Sequence, residues 1–98
     1  MKKLTNAEKL KQVRSKIDKI DNKLLPLIIH RSKLVNLALA TKIKKSEIID
    51  QKRIKNILNK VHKEAKAKKV DPILLKKIWK NMIINFIDFE NKEFKKRK

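Results

Sequence analysis

The chain contains no glycine in its 98 residues, and this absence restricts its fold more than any other property. Hairpin turns and left-handed backbone positions depend on glycine, so a sheet of short, hairpin-connected strands is disfavoured. Phosphate-binding loops, dinucleotide-binding loops and nucleophile elbows also need glycine and are excluded. Since only two prolines are present and 41% of the residues are apolar and arranged at helical spacing, the sequence predicts an all-α fold.

The length of the chain allows one domain, which we predict to span residues 1–98 with a basic tail at about residues 95–98. The sequence has no cysteine, which excludes disulfides and thiolate chemistry. His30 and His62 lie too far apart to form a local metal pair, so we interpret both as surface or rim residues and expect no metal site. An apolar signal segment and a membrane-length apolar run are both missing, which predicts a soluble, cytoplasmic protein.

The formal net charge of +19 raises the possibility of nucleic-acid binding. Against that function, the lysines are spread along the whole chain and alternate with acids instead of forming one stripe. The four aromatic residues all lie in the last third at helical spacing, which is more typical of a core than of a base-stacking platform. A basic, helical nucleic-acid-binding protein is therefore disfavoured, and we expect no specific nucleic-acid partner.

The first predicted helix opens with a capping box formed by Thr5 and Glu8. Its apolar residues stay in phase for more than 25 positions, which predicts one long helix to about residue 44; the stripe is Val13, Ile17, Ile20, Leu24, Leu27/Ile28, Leu34/Val35 and Ala38. Pro26 interrupts the pattern, because proline removes an amide donor and clashes with the preceding turn. A kink at Pro26 fits the unbroken stripe, and a break into two helices is the alternative.

Two shorter helices follow a short connector at residues 43–49, which we predict to be polar. Asp50 is the predicted N-cap of the second, whose stripe is Ile54, Ile57/Leu58, Val61 and Ala65, and whose end is the lysine-rich run 66–69. Asp71-Pro72 predicts the start of the third helix, because an N-cap is followed by proline at the first helical position. Its stripe is Leu75, Ile78/Trp79, Met82/Ile83, Phe86 and Phe89/Glu90.

A first helix of about 40 residues would be about 60 Å long, and two shorter helices cannot cover its apolar side within one compact chain. The uncovered remainder predicts a partner, most simply a second copy related by two-fold symmetry.

Charged residues occur where the apolar pattern asks for hydrophobic ones. Arg31 interrupts the first stripe, Lys42 follows on the same face eleven residues later, and Glu90 lies on the buried side of the third helix. Buried charges need counter-charges or a cavity, so either an Arg31–Glu90 salt bridge or a polar pocket is expected.

Only four of the 29 cationic residues are arginine, whose forked guanidinium group suits the binding of carboxylates. Three of them, together with Lys42, suggest a pocket for a small polyanion; they are Arg14, Arg31 and Arg53. The fourth, Arg97, receives no role.

The ordered set of Arg14, Arg31, Lys42, Arg53 and a late Glu90 resembles the all-helical, AroQ-class chorismate mutases. The run Val13–Asp21, Leu24-Leu25, His30-Arg31 and the starts Asp50–Arg53 and Asp71-Pro72 follow in family order, so the resemblance covers about residues 8 to 94. The related isochorismate-pyruvate lyases share the same scaffold and basic residues. The resemblance implies an intertwined homodimer with two shared active sites.

By this resemblance, Arg14 binds a substrate carboxylate in the neighbouring protomer's site and Arg31 binds one in its own. Lys42 donates to the enol-ether oxygen and to a carboxylate, and Glu90 stands where the family has Gln or Glu as the second donor to that oxygen. A glutamate donates only when protonated, which predicts that activity falls toward alkaline pH.

The resemblance also gives Arg53 a supporting role at the anionic end of the site, and Asp50 a possible contact with the substrate hydroxyl. The implied reaction is the conversion of chorismate to prephenate, a 3,3-sigmatropic rearrangement of aromatic amino-acid biosynthesis that needs no cofactor. Two residues depart from many mutases: Ile54 replaces a Glu that binds the substrate hydroxyl, and Phe86 replaces a small polar residue. Since these residues and the short connector are lyase-like, isochorismate-pyruvate lyase activity remains the alternative to mutase activity.

Overall fold

A computed structural model describes residues 3–97 of the chain. It contains three α-helices: α1 spans Asn6–Ala40, α2 spans Gln51–Ala67 and α3 spans Pro72–Lys95, with a short 3-10 turn at Lys45–Glu47. No strand occurs between residues 3 and 97, so the predicted all-α fold is confirmed. By packing, the chain divides after Leu34 into two compact units, the first formed by most of α1 and the second by the end of α1 with α2 and α3.

The first unit begins with the predicted capping box. The Thr5 hydroxyl accepts from the Glu8 amide at 3.1 Å, while the Glu8 carboxylate accepts from the Thr5 amide at 3.2 Å and from its hydroxyl at 3.0 Å. These reciprocal bonds satisfy amides that have no partner within the first helical turn. The sequence therefore encodes the start of α1 locally.

The helix α1 continues through Pro26 without interruption, so the alternative of two separate helices is wrong. It ends at Ala40, four residues earlier than predicted. The Thr41 amide donates to the Ala38 carbonyl at 3.1 Å and the Lys42 amide to the Leu39 carbonyl at 3.0 Å, and both bonds span three residues. The Thr41 hydroxyl also donates to the Ala38 carbonyl at 2.7 Å. These tighter bonds close the last turn and end α1 before Lys42.

The apolar stripe of α1 is largely exposed in the single chain. Val13, Ile17, Ile20, Leu24 and Leu27 retain between 47% and 64% of their accessible surface. Leu10 extends the stripe toward the N-terminal end with the same alternation of three and four residues. Such a continuous apolar surface on a helix is typical of a surface that packs against a partner. No helix in residues 3–97 is both long enough and apolar enough to cross a membrane.

In the second unit, α2 and α3 pack against each other. Both begin at the aspartates predicted from the sequence: the Asp50 carboxylate accepts from the Arg53 amide at 3.0 Å, and the Asp71 carboxylate from the Ile73 amide at 2.9 Å. Pro72 occupies the first helical position of α3, where its missing amide costs no hydrogen bond.

The core of the second unit is small. Its buried apolar residues are Leu39, Ile48, Ala65 and Ile83. Leu39 is buried where the sequence predicted Ala38, which is exposed, because the last turn of α1 presents its larger side chain to the core. The connector also contributes Ile48, although it was predicted to be polar.

The stripes of α2 and α3 are buried or half-buried as predicted, with two exceptions. Ile78 and Phe89 stay 51% and 38% exposed, because each lies beside the packed face of α3 rather than on it.

The turn between α2 and α3 contains a left-handed residue. Lys69 adopts φ 58°, a region that favours glycine because a Cβ atom there crowds the following carbonyl. The Val70 amide donates to the Ala65 carbonyl at 2.9 Å, and the Lys69 amide to the Lys66 carbonyl at 3.1 Å. This pair of bonds is a Schellman motif, which satisfies the last carbonyls of α2. A chain without glycine thus ends α2 with a strained lysine.

Candidate active site at the Lys42–Glu90 pair

Two of the predicted site residues form a salt bridge within the second unit. The Lys42 Nζ atom donates to Glu90 Oε2 at 2.9 Å, although the two residues are 48 positions apart in sequence. Glu90 is 7% exposed, and the Lys42 side chain retains 20% of its accessible surface. From the sequence we expected Glu90 to pair with Arg31 or to line a polar pocket. Its hydrogen bond with Lys42 was not predicted. An acid buried to this degree needs a counter-charge, and Lys42 provides it.

The segment that carries Lys42 has its main-chain groups satisfied by two charged side chains. On one side, Glu47 Oε1 accepts from the amides of Ile43 at 3.0 Å and Lys44 at 2.6 Å. On the other, Arg97 donates from Nη1 to the Lys42 carbonyl at 2.9 Å and from Nη2 to the Ala40 carbonyl at 3.1 Å. Glu47 therefore binds amides of the segment that carries Lys42, and Arg97 binds its carbonyls.

The role of Arg97 was not predicted from the sequence, in which this residue lies in the basic tail and receives no role. Arg97 lies two residues beyond the end of α3, so helical periodicity offers no signal for its contacts. The function of Glu47 was also missed, because an acid within a short connector has no periodic context that would single it out.

The start of α2 forms a second group of predicted site residues. Asp50, Arg53 and four other residues line an open concavity of about 560 Å³; the others are Lys52, Asn56, Ile57 and Lys60. Because the Asp50 carboxylate already caps α2, the three cations of this lining leave the concavity with an excess of positive charge. Such a surface attracts small anions.

The remaining predicted residues differ in exposure. Ile54 and Phe86 are half-buried, on α2 and α3 respectively. In the first unit, Arg31 is half-buried and Arg14 is exposed on α1. The structure thus joins the side chains of Lys42 and Glu90 directly, whereas Asp50 bonds only the main-chain amide of Arg53. Arg14 has no enclosure within one chain.

The chemistry available to these residues is binding and hydrogen-bond donation. No cluster of three or more His, Asp or Glu residues suited to a metal ion occurs among residues 3–97. His62 is half-buried on α2, where its Nδ1 atom is enclosed without a hydrogen-bond partner, in agreement with its predicted place at the rim of the core. Cations and one buried acid can hold an anionic ligand and stabilise charge that develops on it.

Comparison with known protein families gives a match over most of the chain. The sequence model of chorismate mutase type II matches residues 13–91, which include the whole Arg14–Glu90 series and all of α2. A comparison with individual curated protein sequences finds no significant match. Because the matched range covers most of the chain and includes both Lys42 and Glu90, this protein belongs to the chorismate mutase type II family and is an enzyme of the chorismate mutase kind.

Proposed function

We propose that the protein is a chorismate mutase that rearranges chorismate to prephenate without a cofactor. The observation that supports this function best is the Lys42–Glu90 salt bridge at 2.9 Å. It joins two residues to which the family resemblance gives the same task, hydrogen bonding to the ether oxygen of the substrate. Family membership supports the reaction class, and the pair supports the location of the chemistry.

The rearrangement needs orientation and electrostatic stabilisation rather than a nucleophile. The reacting molecule is a flexible dianion that must be held in a chair-like shape while one C–O bond breaks and one C–C bond forms. Orientation of reacting groups can contribute up to about 7–11 kcal/mol to such a reaction. In our proposal Arg31, Arg53 and the neighbouring protomer's copy of Arg14 supply this orientation, because guanidinium groups bind carboxylates with two parallel hydrogen bonds.

Lys42 has the donors that the breaking bond requires. An ammonium carries three N–H donors, and in the free protein one of them is directed at Glu90. Two donors remain for the ether oxygen and a substrate carboxylate. A preorganised donor to a developing oxyanion contributes about 2.7–4 kcal/mol, so a fixed Lys42 is worth a large part of the rate enhancement. Glu90 holds the ammonium in place and, when protonated, can act as the second donor.

The dimer is part of the proposed function. The exposed stripe of α1 offers a long apolar surface to a second copy of the chain, and Arg14 lies on the same helix. In the proposed assembly each protomer lends its Arg14 to the site of the other. This arrangement would give Arg14 the enclosure that it lacks in one chain.

The direct test is to supply chorismate and isochorismate separately and to measure the turnover of each. We expect the protein to consume chorismate and release prephenate, and Arg31→Ala to abolish this turnover because a carboxylate contact is lost. Lys33→Ala, an exposed neighbour on α1, is the matched control and should leave turnover unchanged. Failure of the wild-type protein to consume chorismate would refute the mutase proposal.

Isochorismate-pyruvate lyase activity is the second candidate, and a specific feature favours it. Half-buried Ile54 directly follows Arg53 on α2, where many mutases have a glutamate for the substrate hydroxyl. Phe86, also half-buried, replaces a small polar residue of some mutases. Faster loss of isochorismate than of chorismate, with salicylate and pyruvate as products, would favour the lyase over the mutase.

A further inference from the structure

Arg97 binds the main chain on both sides of Thr41, immediately next to the proposed catalytic lysine. We propose that Arg97 is a positioning residue: it fixes the backbone at residues 40–42 and thereby sets where the Lys42 ammonium group lies. This inference rests on the proposed function, since it concerns how Lys42 is held for the reaction. Neither the family match nor the residue pattern of the resemblance includes Arg97, which lies beyond residue 91.

The hydrogen bonds have the geometry of a fork. The two terminal nitrogens of one guanidinium donate to the carbonyls of Lys42 at 2.9 Å and Ala40 at 3.1 Å. Ala40 is the last residue of α1, where carbonyls have no partner within the helix. A cation there also interacts favourably with the helix dipole, which is negative at this end. A lysine could neutralise the same charge, but it lacks the planar fork that reaches two carbonyls at once.

The guanidinium is itself held in place. Its central carbon lies 5.2 Å from the centre of the Phe94 ring, within the range of a cation–π contact, and the Arg97 amide donates to the Phe94 carbonyl at 3.1 Å. Phe94 is half-buried at the end of α3. The ring therefore restricts where the arginine can point, which lowers the entropy cost of the fork.

Lys42 is consequently held at two points, one on α3 and one just beyond its end. Glu90 on α3 binds the ammonium, and Arg97, two residues after the helix ends at Lys95, binds the carbonyl. If the contacts of Arg97 with the main chain were lost, the Lys42 side chain could reach the Glu90 carboxylate in many conformations. With the carbonyl fixed as well, its reach and direction are set.

The effect on kinetics should be selective. Arg97 is exposed and its contacts in the structure are to main-chain oxygens and to a ring, so it acts through Lys42. We expect Arg97→Ala to lower kcat about tenfold, because small displacements of a catalytic group are costly, while KM changes less than about threefold. Arg97→Lys, which keeps the charge but not the fork, should recover part of the loss.

The matched control is Lys96→Ala. It removes one positive charge from the same tail, and its ammonium pairs with Glu93 rather than with residues 40–42. It should leave kcat and KM unchanged. Circular dichroism and thermal unfolding establish that each variant is folded, and Arg97→Gln replaces Arg97→Ala if the latter is not. An Arg97 variant that is folded and has wild-type kcat would overturn the proposal.

Hydrogen exchange gives a readout that does not depend on turnover. The amides of Thr41 and Lys42 are hydrogen-bonded at the end of α1, and we expect Arg97→Ala to speed their exchange about tenfold while the middle of α2 is unaffected. Unchanged exchange at residues 41–42 also refutes the positioning role. If the wild-type protein consumed neither chorismate nor isochorismate, the proposed function would fail, and the exchange comparison would still decide whether Arg97 holds this segment.

Discussion

At the scale of single residues, the proposed chemistry depends on one acid with two possible tasks. In the free protein Glu90 accepts a hydrogen bond from Lys42. The accepting oxygen uses a lone pair for this bond and carries no proton. As a donor to the substrate, the same carboxyl group must carry a proton. A single buried residue that both holds Lys42 and donates to the ether oxygen therefore makes turnover depend on pH.

The first prediction concerns the pH profile. We expect wild-type kcat/KM to fall toward alkaline pH, because a carboxyl group donates a hydrogen bond only in its protonated form. Glu90→Gln should flatten the profile, since an amide donates regardless of pH. The same alkaline fall in both proteins would exclude Glu90 as the donor.

The second prediction concerns the stability of the salt bridge. Removing the ammonium by Lys42→Met leaves a carboxylate that is 7% exposed without its partner, which we expect to cost about 1–2 kcal/mol. This value is low for a buried pair because the Lys42 side chain remains 20% exposed. In the background of Glu90→Gln the same substitution should cost less. Urea unfolding of the four proteins at one protein concentration measures the difference, and equal costs in both backgrounds would mean that the pair does not stabilise the fold.

At the scale of elements, local signals determine where each helix begins. Thr5, Asp50 and Asp71 cap the three helices with their own side chains, and all three starts were predicted from the sequence. The helix ends were less predictable. α1 ends four residues early because Thr41 and Lys42 form tighter bonds, and α2 ends with Lys69 in a conformation that its residue type disfavours.

The third prediction uses this strained position. Lys69→Gly should stabilise the protein by about 0.5–1 kcal/mol, because relief of the positive φ exceeds the additional entropy of glycine in the unfolded chain. The matched control is Lys68→Gly, one position earlier at φ −89°, where glycine relieves no strain and should destabilise by up to about 1 kcal/mol. Thermal unfolding compares the two. A destabilised Lys69→Gly variant would show that the strain is negligible.

At the scale of the whole molecule, the apolar surface and the charge point to different partners. The stripe of α1 favours a second copy of the chain, whereas a net charge of +19 favours anions. In α2 six of seventeen residues are cationic and one is acidic, and the concavity at its start is lined by three of these cations. A small dianion is drawn to such a surface before any specific contact forms.

The fourth prediction tests the dimer. We expect the wild-type protein to sediment at twice the monomer mass, and Ile17→Gln/Ile20→Gln to weaken association at least about a hundredfold, because apolar burial is lost in both copies. Lys16→Gln/Lys19→Gln places the same side chain on adjacent, exposed positions and should remain dimeric. Sedimentation velocity over a range of concentrations distinguishes these cases. A monomeric wild-type protein would refute the two-fold assembly and, with it, the shared Arg14.

The sequence was informative wherever a periodic pattern or a local cap was present. It predicted the helical fold and the buried faces of α2 and α3, and it selected Lys42 and Glu90 because charges interrupted apolar stripes. It did not predict that these two residues pair, since helical periodicity gives the face of a residue but not its distance from another helix. Arg97 and Glu47 were missed for a different reason: both lie outside the α-helices and contact main-chain groups, which sequence patterns do not describe.

The exposed stripe of α1 has a consequence for how the molecule forms. A helix whose apolar side chains remain about half in solvent gains little from its own chain, so in the proposed dimer α1 would acquire most of its stability at the encounter of two chains. Refolding from urea would then contain a bimolecular phase whose rate grows with protein concentration. In the cell, the rate at which newly synthesised chains form complete active sites would therefore increase with the concentration of the protein.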